Sequence, residues 1–190
     1  MTSSKNCWSC NKTIGYKDLV CKACGVLQKP VELNPFDVFS LAKKFEINKK
    51  ILEDKYFKLQ SLLHPDKFIN ASQEEKHFSN VHTSLVNNAF KILGDDVSRI
   101  KALLEYSGYQ ISENESFQDV SVLEEIMELQ NMSMSVERES EKKKIQSHLK
   151  VKIKKEIKKI SQFFNEKKYK DVHNSCIKLS YLQKININLK

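Results

Sequence analysis

The sequence predicts an all-α protein in which a small, ribbon-like cysteine module precedes a helical hairpin and a C-terminal three-helix bundle. Three observations favour this fold class. The 190 residues are 40% apolar but include only four Gly and three Pro, which suits helices better than a turn-rich sheet. Apolar residues recur at intervals of three and four over most of the chain. Four of the five cysteines fall before residue 25, where this period is missing.

Changes in composition and in apolar periodicity divide the chain into three predicted domains, residues 1–33, 34–108 and 109–190. The first ends in a Lys-Pro-Val-Glu linker. The second begins with Asn34 as a suitable N-cap and Pro35 as a suitable first helical residue. These residues predict a short amphipathic helix, whose apolar positions are Phe36, Phe39, Leu41 and Phe45.

Two longer helices are predicted to form an antiparallel hairpin. The first begins at about Asn48 and has one apolar stripe, made of Leu52, Tyr56, Leu59 and Leu63. It stops near His64, because Pro65 disfavours helical geometry at the residue before it. The second runs from about Gln73 to Leu93, and its predicted apolar face consists of Phe78, Val81, Leu85, Ala89 and Ile92.

The rest of the chain is also predicted to be helical. A short connecting helix, Arg99 to Tyr106, is closed by Gly108. Three amphipathic helices follow, at about 119–134, at 136–165, and around the apolar positions Val172, Cys176, Leu179 and Leu182. Short connections predict that these three pack as an antiparallel bundle, with Cys176 as a core residue.

The first four cysteines form two C-x-x-C pairs separated by ten residues, Cys7 with Cys10 and Cys21 with Cys24. Such pairs suit a tetrahedral metal site, and the spacing favours zinc. A module this small has too little core to fold alone, so a metal would supply much of its stability. Because the four cysteines would fill all four coordination positions, a single bound zinc ion would be structural and not catalytic. Two disulfides, a redox motif and an iron site are the alternatives.

A His-Pro-Asp tripeptide lies where the helical hairpin must turn, within Leu63-His64-Pro65-Asp66-Lys67-Phe68. Pro65 stiffens this loop, and His64 and Asp66 supply polar groups for recognition. The preceding helix adds lysines that can steer an acidic partner, Lys49, Lys50, Lys55 and Lys58. The alternative is an ordinary helix–helix turn beside a solvated basic face.

The loop and its flanking helices resemble the J-domain family, which is defined by His-Pro-Asp between its second and third helices. The resemblance implies contact with the ATPase domain and linker of a DnaK-type chaperone through His64, Pro65, Asp66, Lys67, Lys55 and Lys58. Nearly the whole chain is similar to the HscB subfamily. The similar segments are Asn34-Pro-Phe-Asp-Val-Phe, Tyr56 to Phe68, and Val86-Asn87-Asn88-Ala89-Phe90 with Arg99 and Leu103-Leu104. The paired C-x-x-C module resembles the extra N-terminal domain of many eukaryotic members.

The resemblance also implies a binding site for an iron–sulfur scaffold protein on the bundle. The family presents Phe-Leu-Met-Glu-x-Met-Glu on its first bundle helix, and Val122 to Glu128 is the similar stretch. Glu124 departs from the family pattern by replacing an apolar residue, and an acid is usual where Asn131 stands. The alternative is that the apolar residues fill the bundle core. The implied scaffold-binding residues are Leu123, Met127, Glu128, Asn131 and Tyr181.

The implied function is that of a co-chaperone without enzymatic activity. It would stimulate the ATPase of a DnaK-type chaperone and deliver the scaffold protein to it during iron–sulfur cluster assembly. The resemblance implies a mitochondrial or mitosome-like location. The six residues before Cys7 are too short for a complete mitochondrial presequence, which is either removed or not carried, so the cytoplasm is the alternative.

Two rival functions are less well supported by the sequence. A net charge of +8 and a lysine-rich helix would suit a nucleic-acid binder. Only Arg99 and Arg138 are arginines, however, and base reading favours arginine, so no nucleic-acid partner is expected. A thiol or metal enzyme would need an open metal position or clustered histidines, and neither is evident. No segment approaches the ~20 apolar residues of a membrane span. Whether the chain forms a weak homodimer is not determined by the sequence.

Overall fold

The computed structural model describes residues 4–111 and 120–189. This part of the chain is mainly helical, as predicted, and its one sheet has two strands. The elements, in chain order, are β1 Ser4–Asn6, β2 Thr13–Gly15, α1 Pro35–Val38, α2 Lys49–Leu63, a 3-10 turn Pro65–Phe68, α3 Gln73–Gly94, α4 Asp96–Tyr106, α5 Val120–Ser135, α6 Glu139–Asn165 and α7 Tyr169–Asn188. The chain forms two compact units, Met1–Lys43 with Ile47–Asp95, and Lys44–Glu46 with Asp96–Lys190.

The cysteine module opens the first unit with two short hairpins. Strands β1 and β2 pair antiparallel, with Lys5 opposite Ile14. Val20 and Leu27 form a single antiparallel bridge that closes the second hairpin. Each hairpin therefore carries one C-x-x-C pair at its turn, which is the ribbon-like arrangement that the spacing predicts.

The helical hairpin of the first unit consists of α2 packed antiparallel to α3. Asn48 caps α2 by accepting from the Ile51 N–H, and Ser72 caps α3 by accepting from the Glu75 N–H. The buried stripe of α3 differs from the predicted one by about one residue, being Ser79, His82, Val86, Ala89 and Leu93. The predicted positions other than Ala89 are only half-buried.

Helix α1 is shorter than the sequence predicts. Asn34 caps it and Pro35 is its first residue, as expected, but it ends at Val38. Ser40 then adopts a left-handed conformation with φ of 48°, which takes the chain out of the helix. Leu41 and Phe45 therefore lie outside α1, although Phe45 is still buried.

The second unit is a helical bundle in which α7 packs against α4, α5 and α6. Its core includes the four predicted residues of the last helix, Val172, Cys176, Leu179 and Leu182, all nearly inaccessible to solvent. One cluster joins three helices through Ile126, Leu129, Leu149, Leu182 and Ile185. The predicted start of the first bundle helix, at residue 119, lies outside the described residues.

Helix α4 belongs to the same compact unit as the bundle. Buried Arg99 holds its first turn in place, because its Nε donates to the Phe45 carbonyl at 2.9 Å and its guanidinium pairs with Asp96. The bounds of the three predicted domains concern which segments fold on their own, and they stay predictions. Within residues 4–111 and 120–189, no helix combines the length and the apolar character that a bilayer span requires.

Candidate functional site

The four N-terminal cysteines converge on one point. Their sulfur atoms all lie within 4.8 Å of one another. The Sγ atoms of Cys7 and Cys24 are 3.7 Å apart, as are those of Cys10 and Cys21. Four ligands at about 2.3 Å from a tetrahedral zinc ion would be separated by about 3.8 Å. A disulfide would need about 2.05 Å, so the cysteines are free thiols in a metal-binding arrangement.

The backbone makes the same turn around each C-x-x-C pair. The Asn11 N–H donates to the Cys7 carbonyl, and the Gly25 N–H donates to the Cys21 carbonyl. Asn11 and Gly25 both have positive φ, 59° and 77°, a conformation that Gly and Asn tolerate best. Because Asn and Gly adopt a positive φ at little steric cost, the chain can turn so that both thiols of each pair face the centre of the cysteine cluster.

The electrostatics of the cluster also suit a cation. Burial opposes ionisation of Cys7, but N–H donors from Cys10, Ser9 and Gln28 together lower its pKa to about 6. The Val26 N–H favours ionised Cys24, yet desolvation and the neighbouring sulfur atoms raise its pKa to about 12. Four thiolates cannot form side by side without a positive charge between them. These residues could therefore hold one metal ion.

The His-Pro-Asp loop projects from the end of α2 into solvent. His64 ends α2 in an extended conformation and starts the 3-10 turn, and its Nδ1 accepts from the Asp66 N–H at 3.3 Å. The side chains of His64 and Asp66 are 52% and 81% exposed, so both are available to a partner.

The predicted basic residues beside this loop differ in their surroundings. Lys58 and Lys67 are exposed. Lys55 is half-buried instead, and its Nζ donates to the Phe39 carbonyl at 2.8 Å and the Ser40 carbonyl at 3.4 Å. The ammonium of Lys55 is therefore partly used inside the unit, where it satisfies carbonyls at the end of α1.

The predicted scaffold-binding residues lie on the surface of the bundle. Leu123, Met127 and Tyr181 are 42%, 55% and 43% exposed, whereas Ile126 and Leu129 face the core. Leu123, Met127 and the exposed Asn131 are spaced by four on α5, so they share one helix face, with Glu128 beside it. We call these five residues, Leu123, Met127, Glu128, Asn131 and Tyr181, the bundle patch.

A charged cluster that the sequence did not reveal fixes α5 behind this patch. Glu125 bonds the Lys152 ammonium through one carboxylate oxygen and the Lys178 ammonium through the other. Desolvation disfavours its ionised form, but the two lysines prevail and lower its pKa to about 2. Helix periodicity predicts only that Glu125 lies near the apolar stripe. It does not reveal the two lysine partners, because they lie 27 and 53 residues away in sequence.

The fold and these sites together define a class of protein. A tetracysteine module, a helical hairpin that turns at an exposed His-Pro-Asp, and a C-terminal helical bundle are the parts of a J-domain co-chaperone with a dedicated bundle. Within the described residues, the four cysteines are the group of side chains brought together with metal-ligand geometry, so the histidines do not form a further cluster.

Comparisons with known proteins identify the family. The family model of the HscB C-terminal oligomerisation domain matches residues 118–190. The chain is 33% identical over 191 residues to the human iron–sulfur cluster co-chaperone protein HscB, covering 97% of this chain and 80% of the relative. An Arabidopsis thaliana homologue is 28% identical, over 96% of this chain and 72% of the relative. The chain therefore belongs to the HscB co-chaperone family.

Solved structures agree with this assignment. The crystal structure of human HscB superposes with a TM-score of 0.90 and 31% identity, over 97% of this chain and 96% of that one. HscB from Vibrio cholerae shares the fold, with a TM-score of 0.73 and 20% identity over 83% of this chain and 95% of that one. The human relative is named as a co-chaperone rather than as an enzyme, which supports a co-chaperone role in iron–sulfur cluster assembly.

Proposed function

We propose that this protein stimulates the ATPase of a DnaK-type chaperone and delivers an iron–sulfur scaffold protein to it, without catalysing a reaction itself. The observation that carries the proposal is that the chain exposes both sets of predicted recognition residues. One is the His-Pro-Asp loop, and the other is the bundle patch. An adaptor needs both, because it must hold its cargo while it engages the chaperone.

The chaperone contact is assigned to His64, Pro65, Asp66 and Lys67, with Lys58 as the exposed lysine that steers the partner. Lys55 stays part of the predicted chaperone contact, and its ammonium also donates to two carbonyls at the end of α1. Asp66 is an informative residue to change because its side chain is 81% exposed, so its loss should leave the core intact.

The scaffold contact is assigned to the bundle patch. Leu123 and Met127 lie on the same helix as Glu128, and this helix is anchored before any partner binds because Ile126 and Leu129 are buried in the core. Exposed apolar side chains next to charged ones are typical of a docking surface.

The tetracysteine module is assigned one structural zinc ion, held by Cys7, Cys10, Cys21 and Cys24. A bound zinc ion would crosslink the two hairpins of the module. The proposed compartment is the mitochondrial matrix or a mitosome-like organelle, with the cytoplasm as the alternative that cell fractionation can decide. Sedimentation at several protein concentrations measures whether the chain forms a weak homodimer.

Steady-state ATP hydrolysis by the cognate DnaK-type chaperone tests the chaperone contact. Wild type should accelerate hydrolysis, and Asp66→Ala should not, because the variant removes the exposed carboxylate of the loop without touching the core. Failure of folded wild type to accelerate hydrolysis would overturn the proposal and would make salt-dependent nucleic-acid binding the next measurement.

Affinity for the scaffold protein tests the bundle patch separately. Leu123→Ala and Met127→Ala should each weaken binding by about fivefold or more, as expected for apolar side chains near the centre of an interface. Val151→Ala is the matched control, because Val151 is an exposed apolar residue on α6 that lies outside the bundle patch. Equal losses for all three variants would contradict the assignment.

A further inference from the structure

Gln28 is a fully buried polar residue that links the cysteine cluster to the helical hairpin. It is 1% exposed. Its Nε2 donates to the Cys7 sulfur at 3.3 Å and to the Val26 carbonyl at 2.9 Å. The backbone carbonyl of Gln28 accepts a hydrogen bond from His82 Nε2 at 2.9 Å. Both protons of the Gln28 amide nitrogen therefore serve the cysteine module, while its backbone is held by α3.

His82 is the corresponding residue on α3, and it is 5% exposed. Burial lowers its pKa more than the Gln28 carbonyl raises it, so the ring is neutral near pH 7. Since a carbonyl only accepts, the proton of the neutral ring lies on Nε2. A hydrogen bond sheltered from water in this way is costly to break without a replacement partner.

Leu27 and Trp8 also tie the module to α3. The Leu27 N–H donates to Glu75 Oε1 at 3.1 Å. Within the module, Trp8 Nε1 donates to the Leu27 carbonyl at 2.8 Å. The Trp8 ring packs edge-on against Phe78 with 5.8 Å between centroids. Glu75 is the third residue after the Ser72 cap, a position from which an acid usually reaches back to its own helix. Here its carboxylate holds the module instead.

Helix α3 in turn holds the backbone next to the His-Pro-Asp loop. Ser79 Oγ donates to the Leu63 carbonyl at 2.6 Å, and Thr83 Oγ1 donates to the same oxygen at 3.2 Å. Ser79 lies one turn before His82 on α3, and Thr83 follows it directly. Leu63 immediately precedes His64. Hydrogen bonds at both ends, joined through the backbone of Gln28 and of α3, thus link Cys7 to the edge of the loop.

We propose that Gln28 and His82 couple metal binding at the tetracysteine site to the order of helix α3 and of the Leu63 backbone beside the His-Pro-Asp loop. The module has only a small core of its own, formed around Cys7, Ile14 and Cys21. Without a metal ion it has little to keep Leu27 and Gln28 in place. Helix α3 then loses its partners at Glu75 and His82 together. The coupling rests on the metal site assigned in the proposed function but not on the chaperone contact, which only a consequence for chaperone stimulation would need.

Amide hydrogen exchange on the full chain tests this coupling without the chaperone. The zinc-loaded protein is compared with protein stripped by a chelator. Exchange should accelerate in residues 4–28, and also by roughly fivefold to tenfold in α3 around His82 and at the amides following Leu63, as expected when buried hydrogen bonds lose a partner. Acceleration confined to residues 4–28 would overturn the coupling.

Gln28→Leu separates the link from the metal. The variant keeps all four cysteines and should bind one zinc ion, measured by competition with a chromophoric chelator. While zinc-loaded, it should show part of the faster exchange in α3. Gln146→Leu is the matched control, because Gln146 Nε2 donates to the Leu189 carbonyl in the other unit, and it should leave α3 unchanged. Exchange in loaded Gln28→Leu that equals wild type would overturn the role of Gln28. If Gln28→Leu does not fold, the comparison of zinc-loaded and stripped wild type decides whether metal binding is coupled to the order of α3.

Discussion

Glu125 offers a quantitative test of what holds the bundle patch in place. Its two carboxylate oxygens bind the ammonium groups of Lys152 on α6 and Lys178 on α7. Despite opposing desolvation, these lysines lower its pKa from the ordinary 4.5 to about 2. A carboxyl with a lowered pKa in the folded state contributes stability above its unfolded pKa. That contribution is lost as the pH falls from about 4.5 towards 2.

The size of this contribution follows from the difference between the two pKa values. At about 1.36 kcal/mol per pH unit, the change from 4.5 to about 2 sets a ceiling of roughly 3 kcal/mol. The side chains of Glu125, Lys152 and Lys178 are 31%, 29% and 16% exposed, so water screens part of the attraction. A contribution of about 1–2 kcal/mol remains after this discount.

Urea unfolding of Glu125→Gln at a series of pH values measures the contribution directly. At pH 7 the variant should be less stable than wild type by about 1–2 kcal/mol, because two half-buried ammonium groups lose their counter-charge. The difference should shrink between pH 4.5 and 2. Glu124→Gln is the matched control, since Glu124 is the exposed neighbouring residue on the same helix. A deficit that stays constant down to pH 2, or that Glu124→Gln reproduces, would refute the electrostatic origin.

Three further substitutions test other parts of the structure. Leu182→Ala should destabilise the chain by about 2–5 kcal/mol in urea unfolding, because Leu182 is fully buried where three helices meet. Arg99→Met should cost about 2–3 kcal/mol, since it leaves the Phe45 carbonyl without its Nε donor; a cost below 0.5 kcal/mol would count against this role. Lys58→Ala should slow association with the chaperone at low salt but not at high salt, measured by stopped-flow fluorescence, whereas Lys150→Ala on α6 should not.

Local sequence signals were sufficient for the start of α1 and for the cysteine site. Asn34 with Pro35 marks the start of α1, and the two C-x-x-C pairs indicate the cluster, because caps and metal-ligand spacings act over a few residues. The exposed position of Leu123 and Met127 could not be derived from periodicity, since apolar residues on a helix are buried by default. The family resemblance supplied that expectation.

The buried face of α3 illustrates what apolar patterning misses. Ser79 and His82 are buried on α3 because their polar groups bond the carbonyls of Leu63 and Gln28. A polar side chain can be buried when a hydrogen-bond partner is available in the core, and here the partners belong to segments distant in sequence. Lys55 is half-buried for the same reason, since its ammonium donates to carbonyls 15 and 16 residues away.

The most direct test of the proposed adaptor role is a mixing experiment with two variants. One carries Asp66→Ala in the His-Pro-Asp loop, and the other carries Leu123→Ala with Met127→Ala in the bundle patch. ATP hydrolysis by the chaperone is measured with the scaffold protein and with each variant alone, both together, or wild type. If one molecule must hold the scaffold while it engages the chaperone, the mixture should not reach the scaffold-dependent rate of wild type. Full recovery of that rate by the mixture would contradict delivery by a single bridging chain.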